Sequence, residues 1–277
     1  MLSHRTGRHP LFGRCLFADN GIIEIIIPLE YGLRIAHFAF CGKENVFYEH
    51  PADSTIFTTN EGWRIRGGHR MWLAPESPKV YFPDNASINY SIENDTILIT
   101  QPKDPWLNVI KSIQIRLDDA RLELLHKVKN VGESPLTCSI WAISVMAPGG
   151  KETISFERRD GGMDPWHRIS MWDYTNLGDP RARYTRDSIE ICHLPIEEKY
   201  KIGVGHPYGP IRYENKNTVF LKRYPIQLGE CYPDGNVSFE TFFSKQMAEI
   251  ESLSPLRTLS PKEEMEHQEI LELLHKE

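Results

Sequence analysis

The chain has 277 residues, 40% of them hydrophobic and 25% charged, which is enough for an ample core without disulfides. A formal net charge of -6 and a pI near 6.0, with no basic block to neutralise phosphates, exclude a general nucleic-acid binder. The longest apolar run, Ile22 to Leu29, is broken by Glu24 and Pro28 and is too short to span a bilayer, so no membrane partner is expected.

Strand signals run the length of the chain. Gly21 to Ile27 is β-branched, and Leu33 to Phe40 alternates around a second strand. Ala86 to Ile92 and Thr96 to Gln101 flank Glu93-Asn94-Asp95, a hairpin turn. Val109 to Leu117 and Leu122 to Val128 flank a second turn at Asp118-Asp119-Ala120. Leu136 to Met146 is apolar and ends at Pro148-Gly149-Gly150; Val219 to Arg223, Val237 to Phe243 and Met247 to Leu253 continue the pattern. In Glu263 to Glu277, charge and leucine content favour a helix. Met265, His267, Glu269, Leu271 and Leu273 nevertheless recur with period two, which favours a strand at its start. Short strands with frequent turns and no βαβ alternation predict an all-β sandwich or barrel with few short helices. No composition shift divides the chain, so 1–277 reads as a single domain, with residues 1–13 a candidate flexible N-terminal segment.

Cys15, Cys41, Cys138, Cys192 and Cys231 are odd in number and widely spaced, as free thiols in a reducing compartment would be. Met1 to Arg14 is polar and basic with no apolar h-region, and a soluble cytoplasmic protein is expected. Histidine and cysteine spacings match no zinc motif, and there is no Gly-x-Ser-x-Gly elbow, dinucleotide loop or Walker loop. Neither metal nor cofactor is expected. His267 and Glu269 can face one side of a strand, but two ligands do not make a site.

The densest chemistry lies in Arg66-Gly67-Gly68-His69-Arg70-Met71-Trp72-Leu73-Ala74-Pro75-Glu76. Paired glycines permit a tight turn and close approach. Arginine offers a planar fork of donors, histidine a group titrating near neutrality, tryptophan a flat apolar face. Such a set suits a polyhydroxylated ring; it equally suits a Gly-Gly turn with arginines paired to acids. Strand alternation gives Arg66, Arg70 and Trp72 one parity and His69 the other, unless the glycines reset the phase. A second cluster, Trp166-His167-Arg168, Trp172-Asp173-Tyr174 and Asp179-Pro180-Arg181, is rich in aromatics and donors, with Trp172 and Arg181 as candidate ligand contacts. Lys201, in Tyr200-Lys201-Ile202-Gly203, is a weaker candidate.

Ile65 to Arg70 resembles the Arg-x-Gly-Gly turn of the galactose mutarotase-like superfamily. Three further segments agree in order: Val128-Lys129-Asn130 with Pro135 to Ala142, Asn236 to Thr241, and Ser254-Pro255-Leu256 with Leu259-Ser260-Pro261 and Glu269. Together with Trp172 to Arg181 and the Cys231-Tyr232-Pro233-Asp234-Gly235 run, the set is similar to a bacterial branch of that superfamily, over roughly Gly21 to Leu273. The resemblance implies a β-supersandwich whose concave face binds sugars. Active relatives interconvert the anomers of aldoses: a base removes the O1 proton, an acid protonates the ring oxygen, and the ring opens and recloses. By position, Glu240 matches the general base. The family's acid is a histidine on the central strand, but here that strand reads Cys138-Ser139-Ile140-Trp141-Ala142-Ile143-Ser144. Trp141 is a candidate stacking face instead. Two readings follow: aldose 1-epimerisation with His69 as acid, or carbohydrate binding without catalysis. Asp234 is either a hydroxyl ligand or part of a plain Pro-Asp-Gly turn. If Arg66 and Arg70 enter one pocket, the sugar is anionic. Glu240 and Arg66 are expected to border that pocket.

Overall fold

In the computed structural model, residues 1–50, 59, 62–158, 163 and 165–276 are described. Antiparallel strands dominate, in three sheets. One has four strands, in the order Ser3–His9, Gly13–Asp19, Ile23–Pro28 and His37–Phe40. A ten-stranded sheet runs from Ala182–Tyr184 through Ser188–Cys192, Lys151–Ser155, Ile211–Asn215, Thr218–Arg223, Glu264–His275, Arg121–Asn130, Val109–Asp118 and Thr96–Thr100 to Asn89–Glu93. The third orders Ile169–Met171, Tyr200–Val204, Phe239–Phe243, Ala248–Leu253, Leu136–Met146, Gly68–Ala74 and Arg34–Ile35, with Arg257–Leu259 paired to the start of Leu136–Met146. The all-β expectation is met, with helix limited to Pro78–Tyr81 and Pro233–Asn236 among the described residues.

Period-two patterns account for the pairing. Along Glu264–His275, Met265, His267, Glu269, Leu271 and Leu273 point inward, so the terminal stretch is a strand between Thr218–Arg223 and Arg121–Asn130. Asn94 and Asp95 both take positive φ, at 49° and 60°, and close the hairpin between Asn89–Glu93 and Thr96–Thr100 as a two-residue turn whose twist matches the strands. Leu33 to Phe40 divides into Arg34–Ile35 and His37–Phe40, which serve different sheets. The N-terminal residues Ser3–His9 form the edge strand of the four-stranded sheet, paired over their whole length with Gly13–Asp19.

The third sheet lies over the ten-stranded one. Its inward side chains, among them Met71, Leu73, Ile140, Ile250, Phe239 and Phe243, join the core with Ile113, Leu124, Leu271 and Leu273. Gly67 and Gly68 hold the entry to the strand Gly68–Ala74. Both have positive φ, and a Cβ on Gly67 would stand 1.9 Å from the Tyr48 carbonyl oxygen. Gly67→Ala is therefore expected to cost about 3 kcal/mol or more in unfolding free energy, since strain and a backbone clash coincide. A change below about 1 kcal/mol in urea denaturation would contradict this account of the turn.

Candidate active site

The third sheet turns its other face to a cleft. Cross-strand pairing aligns Arg70, Ile143, Glu251, Glu240 and Gly203 in one row, and Val145, Glu249, Phe242 and Lys201 in the next. Trp72 pairs with Trp141 two residues further along the same face. Period-two alternation thus brings residues from distant segments onto one floor. Around it, Trp63, Glu76, Tyr81, Trp172, Tyr174 and Lys199 build the walls of a cavity of about 400 Å³.

Tryptophan surrounds this cavity. Trp72 lies 5.2 Å from Trp63, 4.9 Å from Tyr81 and 5.6 Å from Trp141, centroid to centroid. These tilted and edge-on contacts fix the rings against one another and leave apolar surface toward the cavity. The Arg70 guanidinium sits 4.6 Å from the Trp72 centroid and donates to Glu249 Oε1 at 3.1 Å. Its Nε and Nη1 are buried and make no hydrogen bond within the protein.

Lys201 closes the floor. Its ammonium stands 4.6 Å from the centroids of both Trp141 and Trp172, 2.8 Å from Glu240 Oε2 and 3.2 Å from Glu251 Oε2. Trp141 Nε1 also donates to Glu251 Oε2, at 2.7 Å. Burial disfavours the Lys201 charge, but Glu251 and Glu240 outweigh it and hold the ammonium above its ordinary value. Burial pushes the Glu240 carboxyl well above the usual carboxylate range against the pull of Lys201, and it raises Glu251 in the same way. Glu240 is 1% exposed and lies beneath Lys201, behind the cavity wall.

The predicted residues divide accordingly. Arg70, Trp72, Trp141 and Trp172 line the cavity, and Glu240 lies on the same face of the sheet. Arg66 does not line it: its guanidinium covers the Tyr31 ring at 4.0 Å and its Nη2 donates to Asn85 Oδ1 at 2.6 Å. The positive φ of Gly67 and Gly68 between them resets the strand phase, so Arg66 and Arg70 part company. Arg66 and Glu240 therefore do not border one pocket, and the condition for an anionic ligand is not met. His69 points to the opposite face, fully buried between the sheets, as alternation from Arg70 requires. Arg181 is also buried elsewhere; its Nε and Nη2 engage Asp179 at 2.9 and 2.6 Å, and Nη2 also donates to the Glu198 carbonyl. Asp234 sits in the tight turn Pro233–Asn236 with φ 52°, outside the cavity wall, and its charge helps to raise Glu240.

The antiparallel sandwich matches solved structures over nearly their whole length. The fold is that of galactose mutarotase-like proteins. A galactose mutarotase-like protein from Lactobacillus casei superposes with a TM-score of 0.62 at 9% identity, covering 94% of this chain and all of the other. One from Clostridium acetobutylicum gives 0.59 at 12% identity, over 100% and 99% of the two chains. A galactose mutarotase related enzyme from Lactobacillus acidophilus gives 0.53 at 9% identity, over 99% and 98%. No protein-family model and no curated protein matches the sequence. The galactose mutarotase-like fold is thus shared at the level of architecture. Glu249, Glu251, Trp63 and Tyr81 were not singled out by sequence. The signal that could have found the two acids is their alternation in Ala248-Glu249-Ile250-Glu251, where a buried strand carries a carboxylate at every second position.

Proposed function

We propose that the cleft binds a neutral monosaccharide or a sugar derivative of that size. The observation that carries this reading is the convergence of Arg70, Trp72, Trp141, Trp172 and Lys201 on one cavity of about 400 Å³. Tryptophan faces suit the C–H face of a pyranose, while the Arg70 guanidinium and the rim carboxylate of Glu76 suit its hydroxyls. Charge supports a neutral ligand. Arg70 is balanced by Glu249, and Lys201 by Glu240 and Glu251, so no uncompensated pair of cations awaits a phosphate or carboxylate. Five free cysteines agree with a reducing, cytoplasmic setting.

A second reading, anomer interconversion, is favoured by the 2.8 Å contact between Lys201 Nζ and Glu240 Oε2. A carboxylate whose proton affinity is raised by burial is a competent base for the anomeric hydroxyl, and the adjacent ammonium a hydrogen-bond donor for the ring oxygen. For this, Lys201 must swing aside to open Glu240 to the sugar. NMR exchange between α and β anomers across a panel of aldoses, for wild type and Glu240→Gln, tests both readings. The catalytic reading expects acceleration by the wild type and its loss in the variant with binding retained. Binding without acceleration removes catalysis and leaves the first reading; no binding by any sugar removes both.

A further inference from the structure

Opposite the cleft, between the two large sheets, lies a cluster of buried polar side chains that sugar binding does not use. His69 comes from one sheet; His126, Lys222, His267 and Glu269 come from the other. The His69 and His126 Nε2 atoms are 2.8 Å apart, and Glu269 Oε2 is 3.4 Å from the first and 3.8 Å from the second. A point equidistant from these three atoms lies about 2.0 Å from each, the length of a zinc–imidazole or zinc–carboxylate bond.

We propose that His69, His126 and Glu269 form a zinc site that ties the two sheets together. The surroundings orient all three ligands. His126 Nδ1 donates to the His267 carbonyl oxygen at 3.1 Å, which leaves Nε2 as the lone-pair nitrogen facing the centre. Without metal, His69 Nε2–H donates to His126 Nε2 and Ser144 Oγ donates to His69 Nδ1; metal binding moves that proton to Nδ1, where Ser144 Oγ, 3.0 Å away, can accept it. Glu269 Oε1 is taken by Ser252 Oγ at 2.5 Å and by Lys222 Nζ at 2.8 Å, while Oε2 is buried without a hydrogen-bond partner and faces the two imidazoles.

The equidistant point lies in the plane of the three atoms, so a tetrahedral zinc requires the His69 and His126 nitrogens to part from their 2.8 Å contact and admit a fourth ligand. Charge is the main opposition, because the Lys222 ammonium shares Glu269 with the metal. Glu269 is the carboxylate that faces both cations, which makes its substitution a direct test of the site. Local sequence spacing cannot display such a set, because 57 residues separate His69 from His126.

The ligands are fully buried, so the metal enters during folding. The test is refolding of the full chain in ZnCl2 or CoCl2, followed by chelator-treated gel filtration and metal analysis. One equivalent of zinc per chain is expected, with a higher Tm than chain refolded in chelator. Cobalt should give the strong visible absorption of a tetrahedral site, and Glu269→Gln and His126→Asn should each reduce uptake at least tenfold. Wild type without bound metal, or both folded variants binding as wild type does, overturns the proposal. Should a variant not fold, zinc-edge X-ray absorption on the wild type decides. A nitrogen and oxygen shell at about 2.0 Å supports the site, and a sulfur shell from the cysteines overturns it.

Discussion

Lys201→Met is expected to lower the unfolding free energy by about 3–5 kcal/mol at pH 7, because it strands two buried carboxylates. Lys201 is 4% exposed, and Glu240 and Glu251 on either side of it are 1% and 0% exposed. Both carboxyls are already held above the ordinary carboxylate value by burial, with Lys201 opposing the rise. Without that ammonium their protonated forms are favoured further. A carboxyl raised in the folded state stabilises the fold at low pH, and that contribution is lost as pH rises through its folded pKa. The deficit of Lys201→Met should therefore be largest at neutral pH and shrink as pH falls toward about 5, near the unfolded carboxyl value. Urea denaturation at both pH values, followed by tryptophan fluorescence, checks this. Equal stability of variant and wild type at pH 7, or a deficit that grows on acidification, would contradict the electrostatic account of the cleft floor.

Arg70→Met should weaken sugar binding by about ten- to hundredfold, the equivalent of one to two charge-assisted hydrogen bonds. Arg70 lines the cavity, and its Nε and Nη1 make no hydrogen bond within the protein. Arg66→Met serves as the contrast. Its guanidinium is spent on Tyr31 and Asn85, so its loss should change affinity less than about twofold. Titration of both variants with the same sugar distinguishes the two arginines. Equal losses would mean that the ligand lies nearer the Gly67 turn than the cleft floor.

The architecture was legible because inward side chains recur with period two along most strands, down to Met265, His267 and Glu269 near the end of the chain. Ser3–His9 was not, because its residues are nearly all exposed and polar, and its strand state comes from pairing with Gly13–Asp19 rather than from burial. In the cleft, the shared parity of Arg70 and Trp72, and the opposite parity of His69, follow from alternation alone. Arg66 escaped that rule because two successive glycines of positive φ separate it from the strand. Glu249, Glu251 and Lys201 carry the floor's electrostatics, but each lies more than a hundred residues from Arg70 in sequence and meets it only through a succession of strand pairings. No local pattern encodes such a meeting.

The central claim is that this tryptophan-lined cleft holds a neutral sugar. Saturation-transfer NMR across a panel of neutral and anionic monosaccharides, with wild type and Arg70→Met, tests it most directly. Transfer from aromatic protons to the ring C–H protons of a neutral sugar, lost or strongly reduced in the variant, is the predicted result. No transfer to any neutral sugar, or transfer unchanged in Arg70→Met, would contradict it.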